Sequence, residues 1–462
     1  MNDAGLNVTP RPSLDVTRHD FSGQRIVVMG LGQFGGGIGV ARFLARSGAD
    51  VLVTDLKPAG QLQASVAALE HSCDSGQIHY RLGEHLISDF NSADLVVVNP
   101  AVNPKHNRYC AAARSAGVPL TSEVRLAVQN LPNRRRTIGV TGTAGKSTVV
   151  AMIGHVIRKC LGSQCVHVGG NIGGSLLDSI DQIQRDHWIV LELSSFMLEG
   201  LDEDRWSPGV AVVTNLAPNH LDWHGNLDAY VLSKQAILRY QKPQDQAVLG
   251  KDLVHWRTNP GVHRIVLDRD DYQVDSPMPG PHNRTNTMFA MTVGEAIAIR
   301  GDNFARSIVD FPGLKHRIQM VLEHESVRYF NDSKSTTPQA AILAVRCFEP
   351  NTVHLIAGGY DKGINLDDLA HCAAERCRGL YTIGDTGDRI ANAAKKRSLE
   401  TPIVRCGTLQ RAVDEASQQA RPGQVILLSP GCASWDQFDQ YEQRGIAFMA
   451  AVTQVTGVKE LN

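Results

Sequence analysis

Residues 137–148 read TIGVTGTAGKST. A short β-branched run enters a glycine-rich turn, and Lys146 opens a helical stretch. Where a strand meets a helix this way, free N–H groups and the helix dipole favour an anion. Glycines let the backbone curl round phosphate oxygens, Lys146 adds a point charge, and Ser147 or Thr148 offers a hydroxyl to Mg²⁺. The spacing is not that of the standard P-loop: the first glycine of G-x-x-x-x-G-K falls on Val140, flanked by Gly139 and Gly142. A glycine turn without a ligand is the bland alternative. Strand, turn and GKST together favour a nucleotide phosphate held by Gly142, Thr143, Ala144, Gly145, Lys146, Ser147 and Thr148.

The same rhythm recurs along the chain. Arg25–Met29 (RIVVM), Asp50–Thr54 (DVLVT) and Leu95–Val98 (LVVV) read as strands of a first α/β block, with a helix ending near Arg46. Leu131-Pro132-Asn133 and three arginines, Arg134 to Arg136, read as an exposed, solvated linker. A second block follows, with strands at 137–141, 188–193 and 210–214 and a closing helix over 286–299. A third has strands at 327–330, 353–356, 380–383 and 425–428 and a helix over 338–345. The 462 residues exceed one ordinary domain and suggest about two to four. The expectation is three consecutive α/β domains: a Rossmann-like N-terminal domain (1–132), a P-loop-type central ATPase domain (133–310) and a Rossmann-like C-terminal domain (311–462).

Composition narrows the partners. A formal net charge of −1 argues against nucleic acid or an anionic membrane as the main partner. Residues 1–20 are polar, with Pro10 and Pro12, and do not resemble a signal peptide. No stretch approaches the roughly 18 apolar residues of a membrane helix. Nine scattered cysteines suit a reduced, cytoplasmic setting. Cys160/Cys165 and Cys372/Cys377 lack a second pair at zinc spacing.

Other constellations carry chemistry. Gly30, Gly32 and Gly35 form G-x-G-x-x-G, with Asp55 twenty residues on, where it can accept from a ribose or a uracil N–H. Glu192 closes an apolar strand, where a carboxylate is costly unless paired or metal-bound. Residues 215–225 (NLAPNHLDWHG) hold two histidines and an aspartate; His220 is either structural or a metal ligand. Lys234, in a helical pattern, reads from first principles as a surface lysine. Residues 331–338, 358–363 and 429–434 follow strands, and these three loops are expected to converge on one ligand.

The ordered set resembles the Mur ligases, over roughly Gly23 to the end. Its marks are GVTGTAGKST, GGNIG (169–173), LELSSF (191–196), HLDWHG with Lys234, PHNRTN (281–286), GLKHR (313–317), NDSKSTTP (331–338) and SPGCASWDQF (429–438). The last two point to the glutamate-adding branch. The resemblance implies an ATP-dependent ligase that adds D-glutamate to UDP-N-acetylmuramoyl-L-alanine through an acyl phosphate, in peptidoglycan precursor synthesis. It implies that Gly30, Gly32, Gly35, Asp55, Asn171 and Ser194 hold the UDP substrate. Asn283, Asn286, Arg317 and Asp332 would contact ATP. Lys334, Thr336, Lys362 and Ser434 would bind glutamate. Ser147, Glu192, His220 and a carbamylated Lys234 would hold two Mg²⁺, the carbamate coming from CO₂. Lys146, Glu192, His220 and Lys234 would be the catalytic set, and the third domain would close over the other two. A cytoplasmic monomer with no nucleic-acid or membrane partner is expected. Ala144 stands where the family often has Asn, and Trp435 and Tyr441 where it often has aliphatic and Phe residues. Left open are L-glutamate as the added residue, another Mur or folylpolyglutamate-type ligase, an NAD-dependent oxidoreductase, and a non-catalytic nucleotide switch.

Overall fold

The computed structural model describes residues 20–32, 35–70, 78–268, 276–397 and 400–458. Residues 1–19, and Gln33 and Phe34 of the first glycine turn, lie outside the described residues. Three parallel-sheet α/β domains follow one another.

The first sheet has five strands: β1 Arg25–Met29, β2 Asp50–Asp55, β3 Ile78–Leu82, β4 Leu95–Val98 and β5 Leu120–Thr121. Their order is β3-β2-β1-β4-β5, all parallel. The second has β6 Thr137–Thr141, β7 Val166–Gly170, β8 Trp188–Glu192, β9 Val210–Val213, β10 Gln246–Gly250 and β11 His263–Leu267. Its order is β11-β10-β9-β6-β8-β7, again parallel. The third has β12 Gln319–His324, β13 Val327–Asn331, β14 Val353–Gly358, β15 Cys377–Ile383, β16 Ile403–Gly407 and β17 Val425–Leu428, ordered β12-β13-β17-β14-β15-β16. Only the β12–β13 pair is antiparallel.

Central strands are buried on both faces, as helix-covered parallel sheets require, and so read as unbroken apolar runs. Strands β4, β9 and β17 are buried throughout. The first two sheets and Phe289–Phe304 form one compact unit; the third sheet and residues 276–288 form another. The closing helix of the second block, expected over 286–299, runs Pro281–Ala296. Among the described residues no helix is long and apolar enough to cross a membrane.

The first two domains are tied together by specific pairs. Arg42 donates to Asp178 at 2.6 Å, Arg46 to the Leu177 carbonyl at 3.1 Å, and Ser175 to Glu123 at 2.8 Å. Arg125 grips Asp204, its Nε at 2.7 Å.

The arginine run corrects the reading of an exposed linker in part. Arg134–Arg136 is a short 3₁₀ turn folded onto the central domain. Arg134 donates to both oxygens of Asp245 at 2.9 and 2.7 Å, and the Asp245 side chain is only 2% exposed. Arg136 lies over the Trp188 ring at 4.6 Å. Arg135 is exposed, as a solvated charge run would be, whereas Arg134 and Arg136 find a buried acid and an aromatic face that sequence proximity does not show. Replacing Arg134 by Ala leaves the buried Asp245 carboxylate with the Lys242 N–H but no counter-charge and should lower stability by about 2–4 kcal/mol. Adding Asp245→Asn should restore part of the loss. Urea unfolding of both variants checks this; an unchanged midpoint for Arg134→Ala contradicts it.

Candidate active site

In the central sheet the order reverses at β6, which lies between β8 and β9. Ligands of open α/β sheets bind at such switch points, beyond the carboxyl ends of the strands. The turn after β6 occupies that place. Gly142 has φ +145°, and a Cβ there would stand 2.0 Å from Thr214 Oγ1, so only glycine fits. The end of β9 pins the turn: Ala144 N–H donates to Asn215 Oδ1 at 2.9 Å, and Thr214 Oγ1 donates to the Ala144 carbonyl at 2.7 Å. Thr143 Oγ1 accepts from Ala217 N–H and meets Tyr230 OH at 3.0 Å. Helix Lys146–Leu161 then starts from Gly145, in the left-handed region. Thr214, Asn215 and Tyr230 are second-layer supports that no local motif marks as such.

Lys234 overturns its reading as a surface lysine. It is 2% exposed, on helix Leu227–Arg239, with Nζ donating to the Gly142 carbonyl at 2.9 Å and to Thr141 Oγ1 at 3.3 Å. The Tyr230 ring lies 4.8 Å from it. Burial, assisted by the charge of Lys146, brings its amine down to about 7. Lys146 donates to the same Gly142 carbonyl at 3.0 Å.

Glu192, at the end of β8, is 2% exposed. Asn171 donates to its Oε1 at 3.0 Å, while Oε2 is buried without a hydrogen-bond partner. A buried, unsatisfied carboxylate oxygen beside the glycine turn suits a hard cation. His220, at φ +52°, is exposed, with its ring edge against Phe196 at 4.9 Å. Desolvation lowers its pKa against the pull of Asp222, with the charges of Lys146 and Lys234 adding to the lowering. Among the described residues no three His, Cys, Asp or Glu side chains form a metal-binding group.

A cavity of about 550 Å³ lies between the first two domains, lined among others by Gly30, Gly32, Asn99, Glu123, Asn171 and Ser194. Gly35 and Asp55 are not in its wall. Asp55 instead braces the glycine turn: its Oδ2 accepts from Gly32 N–H at 3.1 Å and its Oδ1 from Lys57 N–H at 2.9 Å. Glu123 escaped the motif reading; burial raises its pKa.

In the C-terminal unit, Asn283 and Asn286 are buried and linked, Asn286 Nδ2 donating to Asn283 Oδ1 at 3.2 Å. Asp332 is 1% exposed, accepts from Ser429 Oγ at 2.6 Å and Ile318 N–H at 3.2 Å, and is pushed by burial up to about 6. Arg317, on the loop before β12, is half-buried. The loops after β13, β14 and β17 do converge, because those strands are neighbours. Gly358 N–H donates to the Pro430 carbonyl, Tyr360 N–H to Ala433 and Gly431 N–H to Ser335. Lys334 Nζ lies 5.8 Å from the Tyr441 ring and Lys362 Nζ 4.5 Å from the exposed Trp435 ring. Ser434 is buried and Thr336 half-buried.

Known proteins share this organisation. Sequence profiles match in order: the N-terminal domain of MurD-like Mur ligases over residues 24–122, the Mur ligase middle domain over 140–264 and the glutamate ligase domain of Mur ligases over 316–432. A relative from Roseiflexus sp. (strain RS-1), named UDP-N-acetylmuramoylalanine–D-glutamate ligase, is 37% identical over 94% of this chain and 99% of its own. One of the same name from Clostridioides difficile (strain 630) is 32% identical over 93% and 98%. The crystal structure of UDP-N-acetylmuramate-alanine ligase MurC from Thermotoga maritima has the same fold, with a TM-score of 0.57 at 18% identity over 93% and 99% of the two chains. Three successive domain matches and relatives aligned over nearly the whole length mean that the chain belongs to the Mur ligase family.

Proposed function

We propose that this chain is an ATP-dependent ligase that joins D-glutamate to UDP-N-acetylmuramoyl-L-alanine in the making of peptidoglycan precursor. The observation that carries the reading is Lys234. A lysine 2% exposed, at the phosphate turn and with its amine near neutrality, has no use in a simple nucleotide switch. An amine that is largely uncharged at physiological pH can add CO₂, and a carbamate would turn a repelled cation into an oxygen donor. Relatives named for this reaction, 31–37% identical over more than nine-tenths of the chain, support the choice of substrates.

The proposed division of labour follows the three domains, with boundaries near 132 and 310. The cavity beside Gly30, Gly32, Asn171 and Ser194 takes the UDP substrate, and Asp55 keeps the glycine turn in shape. The turn from Gly142 to Thr148 receives the ATP phosphates. Asn283, Asn286, Arg317 and Asp332 face the nucleoside side, and Lys334, Thr336, Lys362 and Ser434 take glutamate. Mg²⁺, held by Ser147, Glu192, His220 and carbamylated Lys234, would offset the repulsion between a carboxylate and triphosphate.

The alanyl carboxylate attacks the γ-phosphorus and ADP leaves, giving an acyl phosphate. Lys146 stabilises the charge that moves onto the bridging oxygens. The free amine of glutamate then attacks the acyl carbon and phosphate departs. Lys334 and Lys362 hold the glutamate carboxylates by charge-assisted hydrogen bonds, so the amine is presented to the acyl carbon.

Two outcomes are expected. Glu192→Gln removes the buried anionic oxygen and should raise the Mg²⁺ concentration for half-maximal rate by roughly tenfold or more, with the Kd for the UDP substrate changed less than about twofold. A magnesium titration of activity and calorimetric binding check this; an unchanged magnesium requirement contradicts it. Phosphate release from ATP should require both UDP-N-acetylmuramoyl-L-alanine and D-glutamate. Release that follows L-glutamate instead would keep the chemistry and reassign the amino-acid pocket; release with neither would overturn the proposed function.

A further inference from the structure

Arg444 stands at the centre of the three converging loops and belongs to none of the motifs. It lies in helix Tyr441–Thr456 and is 1% exposed. Its Nε donates to Ser333 Oγ at 3.0 Å and its Nη2 to the Ser333 carbonyl at 3.0 Å. The same Nη2 reaches the Cys432 carbonyl at 3.1 Å, and Nη1 reaches the Ala433 carbonyl at 3.1 Å. One guanidinium thus joins the loop that carries Lys334 and Thr336 to the loop that carries Ser434. The third loop presses on it as well. A Cβ on Gly359, whose φ is +150°, would stand 3.0 Å from Nη1 and 2.3 Å from the Ala433 carbonyl.

All four acceptors are neutral. Among the described residues no carboxylate lies within ion-pair distance of Arg444. Burial lowers its pKa to about 10, with Asp436 pulling the other way, so it keeps its charge at neutral pH. A buried cation with dipoles but no counter-ion is costly, and neutral donors would suffice for a merely structural tie. A planar fork that reaches two loops at once is what arginine offers and lysine does not. Its charge, offset only in part by Asp436, lies under the loops that carry Lys334 and Lys362.

We propose that Arg444 is a positioning residue that sets the spacing of the amino-acid pocket and, through its buried charge, favours a dicarboxylate over a neutral amino acid. The inference rests on the proposed function, since it takes these loops as the glutamate pocket.

The test uses the full-length enzyme with Arg444→Met and Arg444→Lys, and follows phosphate release with D-glutamate and with D-glutamine while ATP and the UDP substrate are varied. Arg444→Met should raise the KM for D-glutamate by roughly tenfold or more, with the KM for ATP and for the UDP substrate within about twofold. Its preference for glutamate over glutamine, as a ratio of kcat/KM, should fall by a similar factor. Arg444→Lys should raise the KM for glutamate yet keep most of the preference, because it keeps the charge and loses the fork. Thermal melting is read on both variants. If Arg444→Met does not fold, the lysine variant decides: a raised KM with retained preference supports the proposal, and a lost preference overturns it. A folded Arg444→Met with unchanged glutamate KM and preference overturns it, as does a rise in all three KM values alike. Those failures, with a wild-type enzyme that uses D-glutamate, leave the proposed function standing. A wild-type enzyme that uses no glutamate overturns both.

Discussion

The carbonyl of Gly142 accepts from two lysines, Lys146 at 3.0 Å and Lys234 at 2.9 Å. Two ammonium groups cannot both stay charged cheaply so close together in a buried place. Burial of Lys234, and after it the charge of Lys146, bring the Lys234 amine down to about 7. Everything around the turn serves this juxtaposition. The left-handed glycines shape the loop, Thr214 and Asn215 brace it from the next strand, and Tyr230 closes over both Thr143 and Lys234. The result is a glycine turn flanked by two lysines, one of them buried with its pKa brought down to about 7.

The three domains repeat one physical solution. In each sheet the loops that matter leave the carboxyl ends of adjacent strands near a reversal of strand order. In the first, Gly30 follows β1 and Asn99 follows β4. In the second, the turn after β6 lies between Glu192 and Thr214. In the third, neighbouring β13, β17 and β14 bring Asp332, Ser429 and Gly358 side by side. Buried charges then tune each place: Asp55 holds a turn, Glu192 presents a free oxygen, and Arg444 joins two loops.

Much of this was legible in the sequence where local chemistry decides. Most of the apolar, β-branched central strands read directly, as did the glycine turns and the helix that begins at Pro338 behind its Thr337 cap. The edge strands β3 (IHYRL), β7 (VHVGG), β11 (HRIVL), β12 (QMVLEH) and β16 (IVRCG) were not read, because edge strands mix polar and apolar residues and pair on one side only, and the central strand β10 (QAVLG) was missed because its apolar run is only three residues long. Strand β5 has two residues and no pattern to find. The loop residues of the site were visible as motifs, whereas the burial of Lys234, the Arg134–Asp245 pair and the reach of Arg444 depend on segments about 90 to 110 residues apart. No local periodicity encodes those meetings.

The most direct test of the account is ¹³C NMR of the enzyme equilibrated with ¹³C-labelled CO₂ at fixed partial pressure, between about pH 6 and about pH 8. An amine with a pKa near 7 is mostly protonated at the lower limit and mostly free at the upper, a change of roughly tenfold in the reactive form. A carbamate resonance that grows across this range, and that Lys234→Met removes, is the predicted result. An enzyme that is active under the same conditions and shows no such resonance would contradict the account.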